Sequence, residues 1–225
     1  RMLRLRNWSL QFRLFALVLL TTVIMSGVIG TVIYRHQQNT LITDLEREME
    51  RVAWAISTTL DAEVAMRIAN EGTAARGAAE WINWADRIVE KASVANVFTI
   101  IPIDDTRGTF GVVNSGLPAG GVYVVDSAEL YQAWQAALNG FVGLSDIYAD
   151  EYGEWKTAMV PLYDAAGQQV GIAGLDIDAS FVTAMLADLR QTILLAATAV
   201  LLLWLGLAWV IARTIVGPIS SALSR

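Results

Sequence analysis

The chain has no cysteine and a single histidine, His36. Without cysteine there are neither disulfides nor thiolate metal sites, so any folded part must be held by an ordinary apolar core, and thiol redox sensing is excluded. With one histidine, Ser-His-Asp catalysis, multi-histidine metal sites and a phosphoacceptor histidine elsewhere in the chain are excluded. His36 itself reads as a polar residue at headgroup level. There is no glycine-rich phosphate loop of the Walker or Rossmann type. No nucleophile and base fall into a plausible constellation, so the chain is not expected to be an enzyme, and neither a cofactor nor a metal is implied. With four prolines and no biased tract there is no proline-rich linker, and no internal repeat is visible.

The most informative absence is acid at the two ends. All 22 Asp and Glu lie between two uncharged apolar runs, whereas Arg1, Arg4, Arg6, Arg13, Arg213 and Arg225 lie outside them. The runs occupy 14–34 and 191–212, each bounded by arginine. About 20 helical residues cross a bilayer core, so both runs are long enough. The first exceeds the apolar core of a signal peptide and no small-x-small cleavage site follows it, so a retained anchor is expected. The positive-inside rule puts both termini in the cytoplasm and residues 35–190 outside, as in a bacterial inner-membrane protein. That outer segment is net acidic, which argues against nucleic acid as a partner. It is long enough for one domain. The organisation expected is a cytoplasmic start at 1–13, spans at 14–34 and 191–212, a sensor-sized domain at 35–190 and a cytoplasmic piece at 213–225.

Within the outer segment, Leu41, Leu45, Met49, Val52, Ile56, Leu60, Val64 and Ile68 recur every three or four residues. This spacing predicts one long amphipathic helix running on from the first span to a break at Gly72 and Gly77. A shorter helix follows over 78–91. Strands are predicted over 94–101, 110–114, 122–125, 141–148, 155–163 and 169–178, with a helix over 127–138 started by a capping box of Asp126 and Glu129. The last two strands form a hairpin. A final helix leads from Ala179 into the second span. The fold class is α+β, with a five- or six-stranded, largely antiparallel sheet flanked by helices.

The segment from Tyr148 to Asp178 carries a strand ending in Pro161-Leu162-Tyr163-Asp164, a glycine turn, and then Val170-Gly-Ile-Ala-Gly-Leu-Asp-Ile177. It resembles the closing hairpin of single Cache domains, the PAS-like extracytoplasmic sensors of bacterial receptors. Past the second span, Arg213-Thr-Ile-Val-Gly-Pro218-Ile resembles the opening of a HAMP linker, in which Pro218 sets the helix entry angle. The resemblance implies a Cache/PAS-like domain between two spans, a small-molecule ligand over the sheet, and a homodimer. It also implies transmission through the second span by way of Arg213 and Pro218. The sequence given ends at Arg225, about a quarter of the way into the HAMP-like module, so the expected output module lies outside it.

The candidate ligand residues are Tyr123, Tyr148, Asp150, Trp155, Lys156 and Asp176. By the resemblance Asp176 inherits the role of holding a ligand amine; its alternatives are capping the final helix or pairing with Lys156. Lys156 meets a ligand carboxylate or points to solvent. Tyr123, Tyr148 and Trp155 are pocket walls or core. Asp150, Glu151 and Glu154 are a surface turn in preference to a cation site. Trp81 and Trp84, three apart on one helix, are expected to pack on the sheet. Two functions follow. One is the sensory part of a chemoreceptor-like signalling protein. The other is a receptor-like chain without output that serves as an accessory subunit of a larger membrane complex, docked through Gly27, Gly30, Trp204, Gly206 and Trp209.

Overall fold

A computed structural model describes residues 10–150 and 153–211, and these divide into two compact units. One unit is formed by the described residues before Leu41 and after Ala184, the other by Leu41–Ala184. In the first unit the outward faces are apolar, with Leu17, Val32, Leu195 and Leu203 all exposed. Hydroxyls there are satisfied one turn back: Thr22 donates to the Val18 carbonyl, Thr31 to Gly27 and Thr198 to Leu194. Such back-bonding lets a polar side chain sit in an apolar environment. Gly30 lies against Ile193, and a Cβ at this glycine would meet the Ile193 side chain at 3.5 Å. Two helices are thus long and apolar enough to cross a membrane.

The second unit is a seven-stranded antiparallel sheet with helices on both faces. Helix α1 spans Leu10–Thr59, α2 Ala62–Glu71 and α3 Ala78–Ala92. The strands are β1 (Asn96–Pro102), β2 (Arg107–Val113), β3 (Val122–Val124), β4 (Gly143–Leu144), β5 (Tyr148–Asp150), β6 (Gly153–Tyr163) and β7 (Gln169–Asp178). Helix α4 (Ala128–Leu138) stands between β3 and β4, and α5 (Ala179–Ile211) follows β7 without a break. The strand order is β3-β2-β1-β7-β6-β4, with β5 also on β6. The α+β class, the long N-terminal helix and the central antiparallel sheet are as the sequence implies.

Three expectations are corrected. The single helix through Ile68 is interrupted after Thr59, because Asp61 takes an extended backbone and its carboxylate accepts from the Glu63 amide, starting α2 afresh. At α4 the cap is Ser127, whose hydroxyl accepts from the Leu130 amide, and not Asp126. The expected strand over 141–148 divides into β4 and β5. A Cβ on Gly143 would lie 1.9 Å from the Ala133 carbonyl, so the α4 backbone rests directly on this strand. Trp84, three residues from Trp81 on α3, lines a groove of about 400 Å³ between α1 and α3 with Val52, Ala55, Ile56 and Ile88, and its ring lies edge to face with that of Trp81.

Alternation along the strands gives each face its own chemistry. The face covered by α1, α2 and α3 carries Val97, Thr99, Val112, Ala158, Val160 and Leu175, all buried, and meets Met49, Ala53, Ile56 and Ile68. The other face, covered by α4, carries Phe98, Ile100, Phe110, Met159 and Ile172 around Trp134. The site lies on this second face, beyond the end of the α4 contact.

Candidate functional site

Three strands bring the site together through their register. Asn96 stands opposite Asp176, and Asp176 opposite Thr157, so β1, β7 and β6 each contribute one side chain to the α4 face at the same height. The Thr157 hydroxyl donates to Asp176 Oδ1 at 2.6 Å, and Asn96 Nδ2 donates to Asp176 Oδ2 at 3.1 Å. The Tyr148 hydroxyl lies 2.9 Å from the same Thr157 oxygen. β5 thereby closes the edge of the site.

Aromatic rings continue the surface. Tyr123, on β3, stacks on Phe98 at 6.3 Å, meets Phe110 edge to face at 5.3 Å and lies 5.7 Å from Trp134. Trp134 is fully buried, and its indole N–H has no partner among the described residues. Trp155 is half-buried beside β5 and donates from Nε1 to Asp150 Oδ1 at 2.8 Å, an oxygen that also accepts from the Gly153 amide.

The electrostatics are one-signed. Burial pushes the Asp176 carboxyl up to about 6; the bonds from Thr157 and Asn96 oppose this, and the charge of Asp150 adds to it. Tyr148 is raised first by burial and then by the charge of Asp176. Tyr123 is raised by burial and by nearby Tyr148, Asp176, Asp126 and Asp150. Two tyrosines and three carboxylates therefore share one field, and no Lys or Arg ion-pairs with Asp176 among the described residues.

Five of the six candidates fall on this face: Tyr123, Tyr148, Asp150, Trp155 and Asp176. Lys156 does not. It is neither solvent-facing nor paired with Asp176, because alternation turns it to the opposite face of β6. There it is 4% exposed and ion-paired with Glu46 at 2.8 Å. Capping of the final helix falls to Asp178, whose carboxylate accepts from the Ser180 amide and whose pKa is lowered by hydrogen bonding from Ser180, first from its side chain and then from its backbone. Arg213, Pro218 and Glu151 lie outside the described residues. Among the described residues no group of three or more His, Asp or Glu is placed to hold a metal. Thr157, Asn96 and Asp126 are site residues that the sequence reading passed over. The alternation Trp155-x-Thr157 was the available signal for the first.

No protein-family model matches the chain. A probable methyl-accepting chemotaxis protein of Bacillus thuringiensis subsp. konkukian is 25% identical over 179 residues, covering 75% of this chain and 30% of the relative. The chain thus spans about a third of the length of the curated relative it matches. Similar solved structures are sensor domains. One is the Escherichia coli DcuS sensor domain, with 15% identity, TM-score 0.43, and 61% of this chain and 94% of that one covered. The ligand-binding domain of the Campylobacter jejuni chemoreceptor Tlp3, solved with 4-methylisoleucine, gives 13%, 0.43, 78% and 63%. The ligand-binding domain of the Pseudomonas aeruginosa amino acid chemoreceptor PctC, solved with GABA, gives 20%, 0.42, 71% and 67%.

Proposed function

We propose that this chain is the sensory and membrane part of a non-catalytic bacterial signal-transduction receptor, and that its α4-side site binds a small molecule bearing a cationic amine. One observation carries the ligand class: Asp176 is held by two neutral donors, Thr157 and Asn96, with its pKa raised by burial and no Lys or Arg ion-paired with it among the described residues. A carboxylate in that setting is stabilised by an entering cation, because the cation restores what burial withholds. Tyr123, Tyr148 and Trp155 supply ring faces and polar edges suited to a cation with an apolar body. The curated relative is a probable methyl-accepting chemotaxis protein, which supports the receptor reading over that of an accessory subunit. By the charge asymmetry of the sequence, the domain lies outside a bacterial inner membrane with both ends of the chain inside. Arg213 and Pro218 lead toward an output module beyond Arg225.

The test is a thermal-shift screen of the full chain in lipid nanodiscs against primary amines, amino acids and dicarboxylates. Stabilisation by amine-bearing compounds, lost in D176N, is expected. A response confined to dicarboxylates, or one unchanged in D176N, would overturn the reading.

A further inference from the structure

Lys156 and Thr157 are neighbours on β6 that point to opposite faces, and one residue joins their two environments. Ser145, 1% exposed, accepts the Thr157 amide on its hydroxyl at 2.9 Å and the Lys156 ammonium on its carbonyl at 2.7 Å. Its own amide donates to the Thr157 carbonyl at 2.9 Å. From Asp176 through Thr157 to Ser145 and Lys156, and so to Glu46 of α1, every link is a hydrogen bond or ion pair between 2.6 and 2.9 Å.

Helix α1 has a second polar tether to the same strand. The buried Ser57 hydroxyl donates to the Pro161 carbonyl at 2.7 Å. Glu46 and Ser57 lie three turns apart, about 16 Å of helix. Lys156 to Pro161 spans about 16 Å of strand. The two tethers therefore match in spacing, with the apolar stripe Met49, Ala53 and Ile56 packed between them. They differ in kind. Ser57 to Pro161 is fixed by backbone position, whereas Lys156 is a long side chain whose acceptor, Ser145, is itself held by the ligand-side residue Thr157. Glu46 belongs to the helix that runs unbroken from Leu10.

We propose that Lys156 is the coupling residue of this sensor, transmitting the state of the Asp176 site through Ser145 to Glu46 and thereby setting the hold of α1 on the sheet. This rests on the reading of the Asp176 face as the ligand site and adds to it the route by which occupancy reaches the membrane-directed helix. A ligand biases α1 only through a difference in affinity between two arrangements of this connection, so removing the connection leaves binding in place and abolishes the response.

The experiment uses the full 225-residue chain in lipid nanodiscs and needs no ligand, because D176N itself changes the charge at the site. Hydrogen–deuterium exchange of peptides covering 41–59 is compared in wild type, D176N, K156M and the double variant, with E46Q as a second, milder way of breaking the pair. In the Lys156 background, D176N is expected to change exchange around Glu46 by about fivefold, the low end of ordinary coupling between sites. In the K156M and E46Q backgrounds the change falls below about twofold, while peptides of β7 around position 176 still respond. An equal response of α1 with and without Lys156, or none in either background, would overturn the proposal. Amine binding is scored separately by thermal shift, so failure of the ligand reading and failure of the coupling are distinct results.

Discussion

Thr157 faces Asp176, and not the neighbouring Lys156, because β7 holds one residue more than β6 near their turn. Tyr163 pairs with Gln169, but from Leu162 onward the partner is Gly171, so Val170 is extra and the register slips by one. Without that slip Lys156 would stand opposite Asp176. With it, a hydroxyl donor meets the carboxylate and the ammonium is delivered to the other face, to Glu46.

The first prediction concerns pH. Asp176 has a folded value of about 6 against 3.8 for an ordinary aspartate, so the folded state binds this proton more tightly. Between those values, stability from this group rises as pH falls; above about 6 its ionisation is a net cost. D176N removes that cost. The ligand-free variant is expected to melt several degrees above wild type at pH 7.5, with the gap closing as pH drops through 6 toward 4. Amine affinity should move the other way, weakening by up to about tenfold per unit below pH 6. Melting curves and calorimetric titrations at pH 7.5 and 5 check both.

Lys156 is held by a carboxylate and a buried carbonyl, and removing it strands both. K156A is expected to cost about 3 kcal/mol, whereas E46Q costs less, because the Glu46 side chain is 30% exposed and water replaces part of what is lost. Denaturant unfolding of the two variants gives the comparison. Equal costs would mean that the pair is not buried as described.

At Gly143 the obstacle is backbone. G143A sets a methyl group against the Ala133 carbonyl, and since α4 has no soft side chain to yield there, the helix must lift from the sheet. Overpacking of this kind costs about 1–3 kcal/mol, and the upper end is expected here. Loss of near-ultraviolet signal from Trp134, with far-ultraviolet signal retained, would identify the displaced element.

A fourth prediction separates shape from polarity at Trp134. Its indole N–H is buried without a partner among the described residues, so W134F, which keeps an aromatic ring and removes the stranded donor, is expected to cost under about 1.5 kcal/mol. W134A, which removes the ring packed beside Tyr123 over Phe98, Ile100 and Phe110, should cost about 3–5 kcal/mol. Chemical denaturation of both variants decides. A W134F cost equal to that of W134A would show that the N–H has an acceptor.

Much of this architecture follows from local pattern alone. The two apolar runs, the charge asymmetry around them, the 3.6-residue period of α1 and the hairpin of β6 and β7 are written in residue order, because each depends on side chains within a turn or a strand of one another. Aspartate at 176 was a candidate through the resemblance of the closing hairpin, and tyrosines at 123 and 148 through residue type, since a ring with a polar edge suits a mixed ligand. What alternation cannot assign is register, end point or burial. The break at Asp61 interrupts a continuous apolar period and is set by a cap. The division of 141–148 is imposed by the α4 backbone pressing on Gly143. Lys156, polar and long, belongs at the surface by composition; only the one-residue slip at Val170 and the packing of α1 against β6 put it inside with Glu46. Sequence determined which residues can do chemistry here, since that depends on residue type and local spacing. Tertiary structure alone decided which of them meet, because the meeting rests on a register and on helix contacts between residues far apart in the chain.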